Sequence, residues 1–302
     1  MNMHTYLRLT ISVLALLATG MAFSQDEDTS EKDELKIAAL EAMISAPPEL
    51  ALPRVRKILE GNNSDEVKES ALFILSQIDL PEAQTLLVET AKQVSGVLQV
   101  EAIQTIGIGG DPAALSELKG IYDVGDVEVR EAVLNALMIA HDVDAVMEIA
   151  TAAKDDAEFE AAVEMLAVMD ATEELRSLRN RPGMSEALIE AFAISGDAET
   201  LRELALDGSN KERQLEAIEA LGIVDHEDTG PTLVSIYKGS DDKEIREAAL
   251  EGMLIADYDD GVLELYRTSQ DPREKTDLLG YLTMMDSDGI WEIIDAALEE
   301  DD

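Results

Sequence analysis

One arrangement of apolar and polar positions recurs along the chain. A small or aliphatic residue is followed directly by a second apolar one, and two more apolar residues come three and four positions on. The starting residues are Ala39, Ala71, Ala102, Val133, Ala162, Leu188, Ala217, Ala249 and Leu278, spaced 26 to 32 residues apart. Four positions on stand Met43, Leu75, Ile106, Leu137, Leu166, Phe192, Leu221, Met253 and Leu282, all apolar. Residues at i, i+1 and i+4 share one face of a helix, so each unit is predicted to open with an amphipathic helix. About eight positions after the start comes a turn: Asp79, Gly110-Asp111, His141-Asp142, Asp170, Gly196-Asp197, Asp225, Asp257 and Asp286. Gly and Asp suit both the end of one helix and the cap of the next.

A second, shorter helix is predicted after each turn, as in PEAQTLLVETAKQV (81–94), PAALSELKGIY (112–122) and AETLRELAL (198–206). Pro81 and Pro112 fall in a first helical turn, where the missing N–H would have had no intrahelical partner. No strand-like alternation interrupts the series. A single helix pair buries too few aliphatic side chains to offset the entropy of ordering its backbone, so the pairs must stack. The reading is all-α: an armadillo-like α-solenoid of about nine helix–turn–helix repeats over residues 35–298, with one continuous core. Aromatic residues make up only 4% of the chain, which favours aliphatic helix packing over a β-sandwich.

The segments VREAVLNALMIAHD (129–142), IREAALEGMLIAD (245–257) and LEAIEALGIVD (215–225) resemble the HEAT-like repeats named after phycobilisome lyases. The resemblance covers residues 33–302. It implies a ladder in which the basic residues three positions before the start, Lys36, Lys68, Arg130, Arg246 and Lys275, bridge to acids of the adjacent unit. It also implies that the second helices line a concave face. Units four to six are irregularly spaced, and RNRPG (179–183) shortens a second helix there. Such arrays serve many unrelated proteins, so the resemblance speaks to fold and little to function.

Residues 1–24 read as a secretory signal peptide. Arg8 provides the positive charge, Leu9 to Leu17 form the apolar stretch, and Ala22-Phe23-Ser24 fits a small-x-small cleavage site after Ser24. The apolar stretch is shorter than the roughly 20 residues that span a bilayer, so no stable membrane insertion is expected after cleavage. The expected location is periplasmic or secreted. No Cys is present, which removes disulfides, thiolate metal sites and an N-terminal lipid on Cys. An acidic linker (25–34) and an acidic tail (299–302) flank the repeats.

Net charge is −42. An excess of this size repels phosphate backbones and argues against nucleic acid as a partner. It also raises the alternative of an acidic, divalent-cation-binding envelope protein. The turns DHED (225–228), DYDDG (257–261) and DSDG (286–289) depart from calcium-loop spacing and support only weak cation binding. His141 and His226 fall in turns three units apart and read as polar turn residues. GIGGD (107–111) lacks the strand and the Lys-Ser/Thr of a phosphate loop. No catalytic residue, metal site or cofactor is predicted, and a lyase-type enzyme is supported only by the family's name.

The second helices carry less acid than the first helices and turns. Arg54, Arg56 and Lys57 cluster there, as do Arg176, Arg179 and Arg181, groups able to hold an acidic segment bidentately. Tyr122, Tyr237 and Tyr266 each follow an aliphatic residue of a second helix and are candidate anchors, or else core-edge packing. Trp291 is expected to close the end of the core. The function expected is a non-enzymatic scaffold that binds a protein or peptide on the concave face. The charge yields one physical expectation: the melting temperature rises between low and moderate salt as self-repulsion is screened, and a flat or falling melting curve series contradicts it.

Overall fold

The computed structural model describes residues 31–179, 186–285, 287 and 289–299. These form two compact units, divided between Asp79 and Leu80. The signal peptide, most of the linker, residues 300–302 and Arg181 lie outside the described residues.

The first unit holds α1 (Glu31–Glu41), α2 (Pro48–Glu60) and α3 (Asp65–Ser76). Its first helix begins inside the stretch read as linker, because Glu31, Asp33 and Glu34 supply the acidic first turn that a helix dipole favours. In α3 the predicted register holds, with Ala71 and Leu75 shielded from solvent. In α1 it slips by one. Leu40 is buried, whereas Ala39 is exposed and Met43 half-buried. Within its unit α1 packs against α3 alone among first helices, so a narrow stripe suffices to meet its neighbour.

The second unit is an all-α solenoid of helix pairs. It runs through α4 (Pro81–Gln93), α5 (Val97–Gly109), α6 (Pro112–Leu115), α7 (Leu118–Val124), α8 (Val127–Ile139), α9 (Val143–Ala152), α10 (Asp156–Val168) and α11 (Thr172–Leu178). It continues with α12 (Glu186–Ile194), α13 (Ala198–Leu206), α14 (Lys211–Ile223), α15 (Thr229–Gly239), α16 (Lys243–Ile255), α17 (Asp259–Thr268), α18 (Pro272–Met284) and α19 (Ile290–Glu299). The described residues contain no strand. First helices α5, α8, α10, α12, α14, α16 and α18 pack side by side in that order, each also holding its own second helix. Every starting residue from Ala102 to Leu278, and every residue four on from Ile106 to Leu282, is at most 1% exposed. The core is this double row.

The turn eight positions after the start carries the chirality of the repeat. Gly110, His141, Asp170, Gly196 and Asp257 all take positive φ there. The next N–H then reaches back to the carbonyl of the core residue: Asp142 to Leu137, Ala171 to Leu166, Asp197 to Phe192 and Tyr258 to Met253, each at 2.9 Å. This six-to-one closure ends one helix and aims the chain into the next. The carboxylates of Asp111, Asp142 and Asp197 then cap the second helices, and those of Asp126, Asp155, Asp242 and Asp271 cap first helices. A share of the acid excess is therefore capping chemistry.

Two expectations are corrected. The helix predicted over 112–122 is broken into α6 and α7. Glu117 N–H turns to the Ala114 carbonyl, three residues back, while the Ser116 hydroxyl takes the Ala113 carbonyl at 2.8 Å, a competition that loosens helices. Trp291 does not close the core: it is 68% exposed. Ile290 and Ile293 occupy the buried stripe of α19, and a residue one step from Ile290 points about 100° away from it.

Adjacent first helices approach closely where small residues meet. A Cβ on Gly222 would lie 2.7 Å from the Gly252 Cα, and one on Gly107 would lie 2.6 Å from the Ala136 Cα. A Cβ on Gly280, within α18, would meet nothing within 4 Å. Gly222→Ala is therefore expected to cost about 1–3 kcal/mol through overpacking against backbone, whereas Gly280→Ala stabilises by about 0.5–1 kcal/mol. Urea unfolding of the two variants checks the opposite signs.

Candidate partner-binding face

The second helices bring charges of opposite sign together from one pair to the next. Lys92 of α4 meets Glu117 at 2.5 Å, Arg179 meets Glu203 of α13 at 2.8 Å, and Lys238 of α15 meets Glu264 of α17 at 2.5 Å. Arg202 of α13 stands 3.7 Å from Asp228, the residue before α15. In each case the cation projects forward to a carboxylate of the following pair. The lighter charge of this layer thus reflects an internal ladder, with the exposed steps each worth about 0–1 kcal/mol.

Its strongest step is Arg176 with Asp197. The guanidinium grips both carboxylate oxygens, Nε to Oδ2 at 2.8 Å and Nη2 to Oδ1 at 2.7 Å. Asp197 is 5% exposed and also accepts the Thr200 N–H at 3.1 Å as the cap of α13. Burial pushes this carboxyl up, but the hydrogen bonds from Arg176 and Thr200 outweigh it and hold the group below its ordinary range. Glu173 and Glu199 complete the set around Arg176 at 3.1 and 3.3 Å. Bidentate gripping of a carboxylate was the chemistry expected of these arginines toward a partner; the structure turns Arg176 and Arg179 onto the chain itself.

The other candidates are placed as follows. In the first unit Arg54 donates to the Leu50 carbonyl, Arg56 stands 3.4 Å from Glu60, and Lys57 is exposed. Tyr122 and Tyr237 are buried, at 6% exposure each, and Tyr266 is half-buried. Each ring lies under the basic residue that precedes the next start: Arg130 at 5.5 Å, Arg246 at 4.2 Å and Lys275 at 5.2 Å from the respective centroids. The tyrosines are core-edge supports, through cation–π contact, of the ladder that the family resemblance implies. That ladder reaches the adjacent unit at Arg130–Glu158, 2.6 Å, and at Arg246–Glu274. Lys36 instead pairs within its own helix, with Asp33 at 3.0 Å. Gln99 and Gln214 occupy the same register position and donate to the Ala91 and Ala205 carbonyls at 2.9 Å.

A cleft of about 240 Å³ opens by α13 and α15, lined by Glu199, Arg202, Leu221, His226, Asp228 and Thr232 among others. That is below the ~300 Å³ at which small-molecule sites begin, and it suits a single side chain. His226 is a turn residue, its Nδ1 accepting the Asp228 N–H at 3.2 Å. His141 fills a left-handed turn position. The acidic turns engage the chain in the same way, as where Asp259 accepts the Ser287 hydroxyl at 2.6 Å. Among the described residues no group of three or more His, Asp or Glu is arranged to hold a metal ion, and no helix is long and apolar enough to cross a membrane.

The first helices carry the opposite electrostatic condition. Glu164, Glu190 and Glu216 lie half-buried on α10, α12 and α14. Burial raises all three carboxyls, and repulsion adds to it: from Glu160 on Glu164, from Glu186, Glu160 and Glu164 on Glu190, and from Glu186, Glu212, Glu219 and Glu190 on Glu216.

No family model matches the chain, and no curated protein matches it. Among solved structures it is similar to human deoxyhypusine hydroxylase in complex with glycerol, with 18% identity, a TM-score of 0.37, and coverage of 87% of this chain and 94% of that one. It is also similar to the complex of CpcE and CpcF of phycocyanin lyase from Nostoc sp. PCC7120, with 16% identity, a TM-score of 0.34, and coverage of 80% and 94%.

The two sets of shifted carboxyls give stability a maximum in mild acid. Groups raised in the folded state take up protons there first, so stability grows as pH falls from neutral toward the ordinary carboxylate range. Asp197, lowered in the folded state, withdraws its contribution below that range. The melting temperature is expected to be higher near pH 5 than near pH 7.5 and to fall again below about pH 3.5; calorimetry across that span checks both limbs.

Proposed function

We propose that this chain is an exported, non-enzymatic scaffold, periplasmic or secreted, that holds a protein or peptide partner. The observation that carries the reading is the saturated double row of the second unit. Seven first helices in succession bury the same two positions, and four of the turns that follow them are closed by a six-to-one backbone hydrogen bond at 2.9 Å. A rigid array of this kind presents one surface chemistry many times over, which suits an extended partner met at several points more than a single reacting centre.

The second-helix layer, where the family resemblance puts the binding face, contributes differently from the expectation. Its ladder leaves Arg176 and Arg179 engaged, so a partner there meets a surface less acidic than the rest of the chain, with a side-chain-sized cleft beside Arg202 and Asp228. Export rests on the apolar stretch and small-x-small site of residues 9–24.

Photo-crosslinking of the tagged protein in envelope extract tests the reading. Reproducible enrichment of one or a few proteins over a charge-matched control is expected. Failure to enrich any partner across extracts and crosslinkers overturns it.

A further inference from the structure

The face of the first helices shows a repeat that the core does not need. Six positions after each start stand Ile108, Ile139, Val168, Ile194, Ile223, Ile255 and Met284. Their exposures are 71, 51, 45, 37, 59, 57 and 61%. Single exposed aliphatics are ordinary, but the same register position in seven consecutive pairs is a ridge, and a contiguous apolar surface marks an interaction site. Each of these helices packs against the next along the array, so the position recurs from one helix to its neighbour.

Acid runs beside it. Positions four and eight residues before the ridge lie on the same helical face. They are Glu164 and Glu160 on α10, Glu190 and Glu186 on α12, and Glu251 and Glu247 on α16, with Glu219 joining from α14; of these Glu247 pairs with Lys243 of its own helix at 2.8 Å. From eight residues before the ridge up to the ridge itself, none of the seven helices carries a Lys or Arg. Cations on these helices are confined to the first turn or so, at Arg130, Lys211, Arg213, Lys243, Arg246, Arg273 and Lys275. Among the described residues Glu164, Glu190 and Glu216 form no ion pair, and their carboxyls are raised by burial and by neighbouring glutamates. Half-buried carboxylates that repel each other across three helices form a surface short of positive charge.

We propose that this face is a docking surface for a cationic amphipathic segment of a partner protein, its apolar side chains on the Ile108–Met284 ridge and its Lys or Arg side chains on the adjoining glutamates. The assignment rests on the scaffold reading and adds the face and the chemistry of the partner. Charge complementarity selects the occupant. A second copy of this chain brings net charge −42 to an acidic face, and an anionic lipid or nucleic acid is repelled likewise. Neighbouring helix axes stand about 8–10 Å apart, close to the ~10 Å between residues i and i+7 of a helix. A helical partner lying along the ridge can therefore seat one anchor per pair.

The test uses the purified protein and a labelled peptide of about 18 residues, with Leu on one helical face and Lys on the other, read by fluorescence anisotropy. Controls are a scrambled peptide of the same composition and a Leu/Glu version. Saturable binding of the Leu/Lys helix is expected, weakened by salt. The triple variant Ile194→Ser, Ile223→Ser, Ile255→Ser should lose about tenfold or more in affinity with unchanged circular dichroism, as truncated central anchors do. Glu190→Gln, Glu219→Gln, Glu251→Gln should lose a similar factor and the salt dependence with it. Equal binding of the scrambled peptide, or unchanged affinity in both triple variants, overturns the proposal. So does sedimentation showing a dimer of the unmodified protein that the Ile→Ser variant abolishes, which would make a second copy the occupant. If the peptide fails while crosslinking in envelope extract still enriches a partner, this face is wrong and the scaffold reading stands; if crosslinking fails as well, both fall.

Discussion

The structure depends on the closure, made in four successive or near-successive pairs, between a core residue four positions after the start and the N–H that follows the turn. The Leu137, Leu166, Phe192 and Met253 carbonyls each accept that bond at 2.9 Å while their side chains fill the core. One residue thus fixes both the packing of a first helix and the direction of the second. The closure requires a left-handed residue between them, supplied by Gly at 196 and by His or Asp at 141, 170 and 257. Gly adopts that conformation without the Cβ penalty, and Asp tolerates it better than most. Once the turn is set, both helices lie against the same core, and the next pair repeats the solution.

Charge is arranged around this frame in three separate ways. Aspartates at helix starts are consumed as caps. Basic residues of the second helices reach forward to acids of the next pair, with Arg176 and the buried Asp197 as the strongest case. Glu164, Glu190 and Glu216 on the first helices have neither use. Burial and neighbouring glutamates raise their carboxyls, and they lie beside an exposed apolar row. A surface that is both electrostatically unsatisfied and apolar is costly to leave bare, which is the physical reason to look for a partner there and not among the paired cations.

Much of this was legible in the sequence. The register from Ala71 to Leu278, the turns from Gly110 to Asp257 and the second helices apart from the one over 112–122 follow from helical periodicity and from the chemistry of Gly, Asp and Pro. So does the structural reading of His141 and His226. The candidate site was less legible. Sequence gives the net charge of a helix but not the distance from Arg176 to Asp197, 21 residues on, so bridging cations look the same as free ones. Tyr122 and Tyr237 lie under arginines eight and nine residues later, a contact that only the return of the chain creates.

What the sequence by itself determined is the repeat: two apolar positions four apart, a turn at eight, and a shorter helix after it, because local periodicity and turn chemistry act within one unit. Tertiary structure decided which face of each unit meets a neighbour. It put Ala39 in solvent and Leu40 in the core, exposed Trp291 on the last helix, and split the helix at Ser116. It also decided that Ile108 and its six counterparts stay outside. An apolar residue two positions beyond a core residue reads as a continuation of the hydrophobic stripe, and only the packing of adjacent first helices fixes where that stripe ends.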